Sequence, residues 1–224
     1  MQRIDLKDLM IGDILIHQPT KPKMHQKKIS EASNSAYTHA SVYLGDDMVL
    51  EANPPQVRTR NIKDTLGSEG IIGVLRSQAV FTPDRKKALQ EFAGELLGNN
   101  AKYDILGALK YTRLRSRHIN SLLDILSERA DRENNDFNFD KRKYFCSALV
   151  VACYCVVGII DKTAYPLYPP EIHAPGDLLH DPTFGWVLGY IDVHGIGLSK
   201  DDPLRYGTLW SEQDSKWWDA TGHV

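Results

Sequence analysis

The 224-residue chain has no surplus of either charge: 27 Lys and Arg stand against 29 Asp and Glu, a formal charge of −2. Domains that grip nucleic acid usually carry a clear basic excess, so this balance argues against a nucleic-acid partner. Long hydrophobic runs are missing as well. The opening MQRIDLKDLMIGDILIH interleaves charged with apolar residues, unlike the continuous apolar core of a signal peptide. The longest apolar stretch, from Cys146 to Ile160, is shorter than the ~20 residues a bilayer span needs. We therefore expect a soluble, cytoplasmic protein without an integral membrane segment. Cysteine is scarce too. There are three, two of them separated by one residue, which does not make a disulfide framework and suits a reducing compartment.

What remains is an ordinary globular composition, 42% apolar and 25% charged, in a chain long enough to bury a real core. Gly12-Asp13 precedes a brief strand, DILIH. The polar, cationic stretch QPTKPKMHQKKISEASNSAY, with its two prolines, reads as a loop. HASVYL and MVLEA, separated by GDD, read as a hairpin, and IIGVLRS and FGWVLGYI as further strands. TPDRKKALQEFAGELLGNN carries the marks of a helix: Thr82 as N-cap, Pro83 first, and Gly98 past its end. From Tyr111 to Lys143 the composition turns highly charged around one amphipathic patch, INSLLDILSERA. A helical insertion or lid is one reading, a solvated helix without a role the other. The Pro-rich YPLYPPEIHAPGD follows later, and the Trp-bearing C-terminal tail has no assignment.

The chemistry centres on RKYFCSALVVACYC, residues 142–155. A thiolate is favoured at a helix N-terminus and beside an imidazole. Cys146 opens an almost wholly apolar run, so its helix would be buried with its free N–H groups at the sulfur. Those groups suit an oxyanion. Cys153 and Cys155 lie inside the run, where structural burial is the simpler account. Strand alternation puts His39, Ser41 and Tyr43 on one face. If GDD is a three-residue loop, Leu44 faces Met48, Ser41 faces Glu51 and His39 faces Asn53. His39 and Glu51 are then diagonal neighbours, ~7–8 Å apart at the backbone, within side-chain reach of each other. A two-residue loop would instead send Glu51 to the opposite face.

The succession GDIL, THASVYLGDD, VLEANPPQV, KYDILGALKY, YFCSALV resembles the circularly permuted branch of the papain-like fold. That branch holds the YiiX-like proteins, related to NlpC-type amidases and to lecithin:retinol acyltransferase-like enzymes. The resemblance spans most of Met1 to about Asp181 and implies an α+β fold, an antiparallel sheet packed on the cysteine-bearing helix. On that basis we expect a catalytic domain over residues 1–195, with 111–143 as helical insertion or lid, and a C-terminal extension over 196–224. It implies Cys146 as nucleophile, His39 as general base and Glu51 as the orienting residue, although Asn53 shares Glu51's expected face. Tyr144 resembles the tyrosine that lines the substrate site. The PGDLL after the cysteine helix also resembles these proteins, without an implied role. The reaction implied is acyl transfer through a thioester, with no metal or cofactor. The substrate would be a small peptide or a cell-wall fragment. Alternatives are a lipid or thioester acyl hydrolase or acyltransferase, and a catalytically idle, ligand-binding member of the fold. A zinc site joining Cys146, His39 and a histidine such as His17 is a further, separate reading.

Overall fold

The computed structural model describes residues 1–64, 66–124 and 143–206. They build one eight-stranded sheet with helices packed against it, an α+β architecture. The strands are β1 (Ile14–Pro19), β2 (His39–Gly45), β3 (Met48–Asn53), β4 (Gln56–Asn61), β5 (Glu69–Arg76), β6 (Lys102–Tyr103), β7 (Lys143–Tyr144) and β8 (Trp186–Asp192). Their spatial order is β7-β6-β4-β3-β2-β1-β5-β8. Every neighbouring pair is antiparallel except β6 and β7.

Alternation along the central strands divides the side chains between two cores, as a period of two requires. Ile14, Ile16, Ala40, Val42, Leu50 and Ala52 join the larger core under the helices, while Leu15, Tyr43, Val49, Ile72 and Val74 form a smaller one with Ile4 and Leu188. The helices are α1 (Met24–Ser33), α2 (Pro83–Gly98), α3 (Ile105–Asn120), α4 (Cys146–Val156) and the single turn α5 (Asp177–His180). Every residue of α4 from Cys146 to Cys155 is buried. A helix apolar on all sides has no solvent face to offer, so it lies in the middle of the structure. Tyr154 carries the one phenol in α4, and its hydroxyl donates to the Gly12 carbonyl at 3.0 Å. None of the helices among the described residues is long and apolar enough to cross a membrane.

The stretch expected to be a loop between β1 and β2 contains α1 instead. Its composition is polar, but its ends are well made. The Lys23 N–H donates to the Gln26 side chain at 2.8 Å, and Asn34 closes the helix in the left-handed conformation at φ 48°. Ile29 is the buried anchor. α2 runs as expected from its Thr82 cap, except that Gly98 is its last helical residue and Asn100, at φ 49°, makes the left-handed exit. One helix runs across position 111, where the insertion was expected to start. α3 begins at Ile105, capped by Asp104, whose carboxylate accepts from the Gly107 N–H at 2.8 Å. Tyr111 is therefore a buried mid-helix residue. The remainder of the expected insertion, 125–142, and the tail from 207 lie outside the described residues.

Candidate active site

The β2–β3 hairpin decides which side chains meet. Its turn has two residues, Asp46 and Asp47, both with positive φ (50° and 59°), the conformation that suits a tight hairpin. A plain two-residue turn would have put Glu51 on the wrong face. A register shift between Tyr43 and Gly45 makes up the difference, so that Gly45 pairs with Met48 while Ser41 pairs with Glu51. The bulge restores the diagonal relation that a three-residue loop would have given.

His39 Nε2 consequently lies 2.8 Å from Glu51 Oε2. The other carboxylate oxygen is held from β4. Arg58, directly opposite Glu51 in the β3–β4 ladder, donates to Oε1 from Nε at 2.8 Å and from Nη2 at 2.7 Å. Burial opposes the charge on Glu51, whose side chain is 3% exposed. The hydrogen bonds and positive charges of His39 and Arg58 outweigh that and hold the carboxyl well below its usual range. For His39, burial likewise disfavours the cation, but hydrogen bonding and charge from Cys146 and Glu51 prevail and raise it to about 10. Since Nε2 carries the Glu51 bond, Nδ1 is the ring nitrogen left for the Cys146 sulfur.

Cys146 opens α4 after Phe145, an extended N-cap with no polar side chain. The first-turn amides of a helix have no partner in its own ladder, so they cluster beside the sulfur. Cys146, His39 and Glu51 border one cavity of about 260 Å³. The other two cysteines lie deeper in α4. Burial pushes the Cys155 thiol up to about 12, and burial with the charge of Cys155 pushes Cys153 higher still.

Tyr144 is placed elsewhere. Its side chain is buried in the larger core, edge-on to Phe92 at 6.4 Å, and does not border the cavity. Its partner in the β6–β7 ladder, Tyr103, does. Burial, then the charges of Cys146 and Asp104, keep the Tyr103 phenol protonated far above its usual range. Asn53, the other residue considered on the Glu51 face, borders the cavity at the end of β3.

Arg58 is an addition to the site read from the sequence, where His17 entered only as a candidate zinc ligand. His17 pairs across the sheet with His39, their ring centroids 5.1 Å apart. Burial, followed by repulsion from His39, lowers it to about 3, so it is a neutral ring beside a cationic one. Its Nε2 is 2.9 Å from Ser41 Oγ. The signals were available: Pro54-Pro55 as a two-residue turn puts Arg58 opposite Glu51, and pairing of DILIH with HASVYL puts His17 opposite His39. Among the described residues no three His, Cys, Asp or Glu side chains are arranged to hold a metal ion. The PGDLL segment has a structural task. Asp177 accepts from the Ala174 N–H and from Arg115 of α3, both at 2.7 Å.

No family model matches the chain, and no curated protein matches it. Among solved structures, it is similar to metalloprotein YiiX from Escherichia coli O157:H7, with 19% identity and a TM-score of 0.43. The match covers 65% of this chain and 64% of that one, so the chain spans a little under two thirds of that protein.

Proposed function

We propose that the protein is a cysteine hydrolase that cleaves an amide bond in a small peptide or cell-wall fragment, on a permuted papain-like fold of the NlpC-related, YiiX-like kind. One observation carries the reading: a single histidine stands between the thiol at the start of a buried helix and a carboxylate that is itself held by an arginine. In the proposed cycle the Cys146 thiolate attacks the carbonyl, and its thiol proton resides on His39. The tetrahedral oxyanion forms against the first amides of α4, with the Tyr103 hydroxyl, rather than Tyr144, as the side-chain donor. His39 gives its proton to the departing amine, and the acyl group is left as a thioester on Cys146. Water then attacks the thioester while His39 takes its proton, and the acid is released with the thiol restored. Glu51 keeps the ring oriented and stabilises the imidazolium throughout.

The cavity wall favours an amide substrate over a lipid. Lys21, Asn53, Arg58, Arg60 and Glu69 border it beside His39, and an acyl chain gains little from such surroundings. The test is turnover of a peptide panel by wild type and Cys146→Ala. Loss of all hydrolysis with an unchanged unfolding midpoint supports the reading. Residual hydrolysis at the wild-type rate ends it, and activity confined to phospholipids or thioesters turns it to acyl-lipid chemistry.

A further inference from the structure

The hydrolytic scheme leaves several polar atoms at the cavity unused. Among the described residues, His17 Nδ1, Thr38 Oγ1 and Glu69 Oε2 are buried without a hydrogen-bond partner, and all three residues border the cavity. Native proteins seldom leave buried polar atoms unmatched, so a cluster of them at a cavity marks a place for a ligand. The His17 side chain is 3% exposed and that of Glu69 13%. In the tautomer whose Nε2–H is given to Ser41 Oγ, 2.9 Å away, neutral His17 presents a lone pair at Nδ1. Glu69 Oε1 stands 3.9 Å from that atom, too far for a hydrogen bond. A single donor nitrogen set between them reaches both at normal length. Among the described residues, no Lys or Arg lies within ion-pair distance of Glu69. Burial raises its carboxyl above the usual range, with the charges of His39 and Arg60 acting on it only from farther off, so a cation set against it would stabilise the carboxylate.

We propose that this end of the cavity binds the protonated amino group of a short peptide, with the Glu69 carboxylate and His17 Nδ1 as its acceptors. This deepens the hydrolase reading and rests on it only for which bond is cut. The His17 and His39 rings are 5.1 Å apart. At ~3.4 Å per extended residue, the amine is then anchored within about two residues of the carbonyl offered to Cys146. Lys21 and Lys23 border the same cavity, so a bare amine meets repulsion there. A peptide that also carries a carboxylate satisfies both signs.

The test is a calorimetric titration of the Cys146→Ala protein with trialanine and with N-acetyl-trialanine, which lacks the cationic amine. Trialanine should bind at least about tenfold more tightly, as expected for loss of a charge-assisted hydrogen bond. Glu69→Gln in the same background should erase that preference. Equal affinities, no binding of either peptide, or a preference that survives Glu69→Gln would overturn the proposal, the first meaning that water fills the gap and the last that another group holds the amine. No turnover is involved, so the anchor fails separately from the hydrolase: cleavage of acetylated peptides without any amine preference would leave the hydrolase standing.

Discussion

Replacing Glu51 by Gln keeps the shape of the side chain and removes its charge, which probes the link between His39 and Arg58 directly. Glu51 is 3% exposed and accepts from both neighbours at 2.7–2.8 Å. Removing one member of a buried ion pair commonly costs about 3–5 kcal/mol, because the partner is stranded. Arg58 is 34% exposed and can turn to water, so the stranded partner is His39 alone. The loss is then nearer the ~2 kcal/mol of one charged hydrogen bond. Urea unfolding at pH 7 reads that loss. Because Glu51 is depressed below 4.5, its stabilisation is complete above that pH, and the two proteins should converge only as pH falls well below it. NMR of the His39 ring supplies the second readout: its titration, near 10 in the wild type, should move down once the carboxylate is gone. An unmoved titration with unchanged stability would refute the argument that Glu51 holds the imidazolium.

The alkaline limb of stability should also belong partly to His39. Its folded pKa, about 10, lies above the ordinary 6.5, so the stabilisation is full below 6.5 and is lost as pH rises through 10. The slope is at most ~1.4 kcal/mol per pH unit. Above about pH 8.5 the raised thiols of Cys153 and Cys155 add to the decline. A His39→Gln variant should flatten the limb between pH 6.5 and 8, measured by urea midpoints, and an unchanged slope would contradict the assignment. Ser41→Ala removes the only hydrogen bond that the buried His17 ring makes among the described residues. It should cost about 1–3 kcal/mol in the same assay, and a neutral result would show that water replaces the hydroxyl.

How far the sequence reached depended on how local the deciding physics was. Strands β1, β2, β3, β5 and β8, α2 and the almost wholly apolar α4 follow from periodicity and caps, which are written in consecutive residues, whereas β4 and the two-residue β6 and β7 carry no such pattern. α1 was missed because its surface is polar and its stability lies in a Lys23–Gln26 cap and one buried Ile29, which a reading weighted to prolines passes over. The Ser41–Glu51 register was reached by a route the structure does not take. A two-residue Asp46–Asp47 turn with a bulge at Leu44 replaces the three-residue loop, and bulges leave little trace in composition. Tyr144 and Tyr103 exchange places for a similar reason. The ladder between β6 and β7 joins residues 41 positions apart, and which of the two rings faces the cavity is settled by packing against Phe92 of α2.

The central claim is that Cys146 is a nucleophile and the other two cysteines are packing. Brief treatment of the native protein with iodoacetamide, followed by digestion and mass spectrometry, tests it most directly. Cys146, at the cavity and beside His39, should be alkylated first, with Cys153 and Cys155 protected until the protein unfolds, and His39→Gln should slow the reaction at Cys146. Equal modification of the three thiols, or a Cys146 that stays unmodified while the others react, would contradict the account.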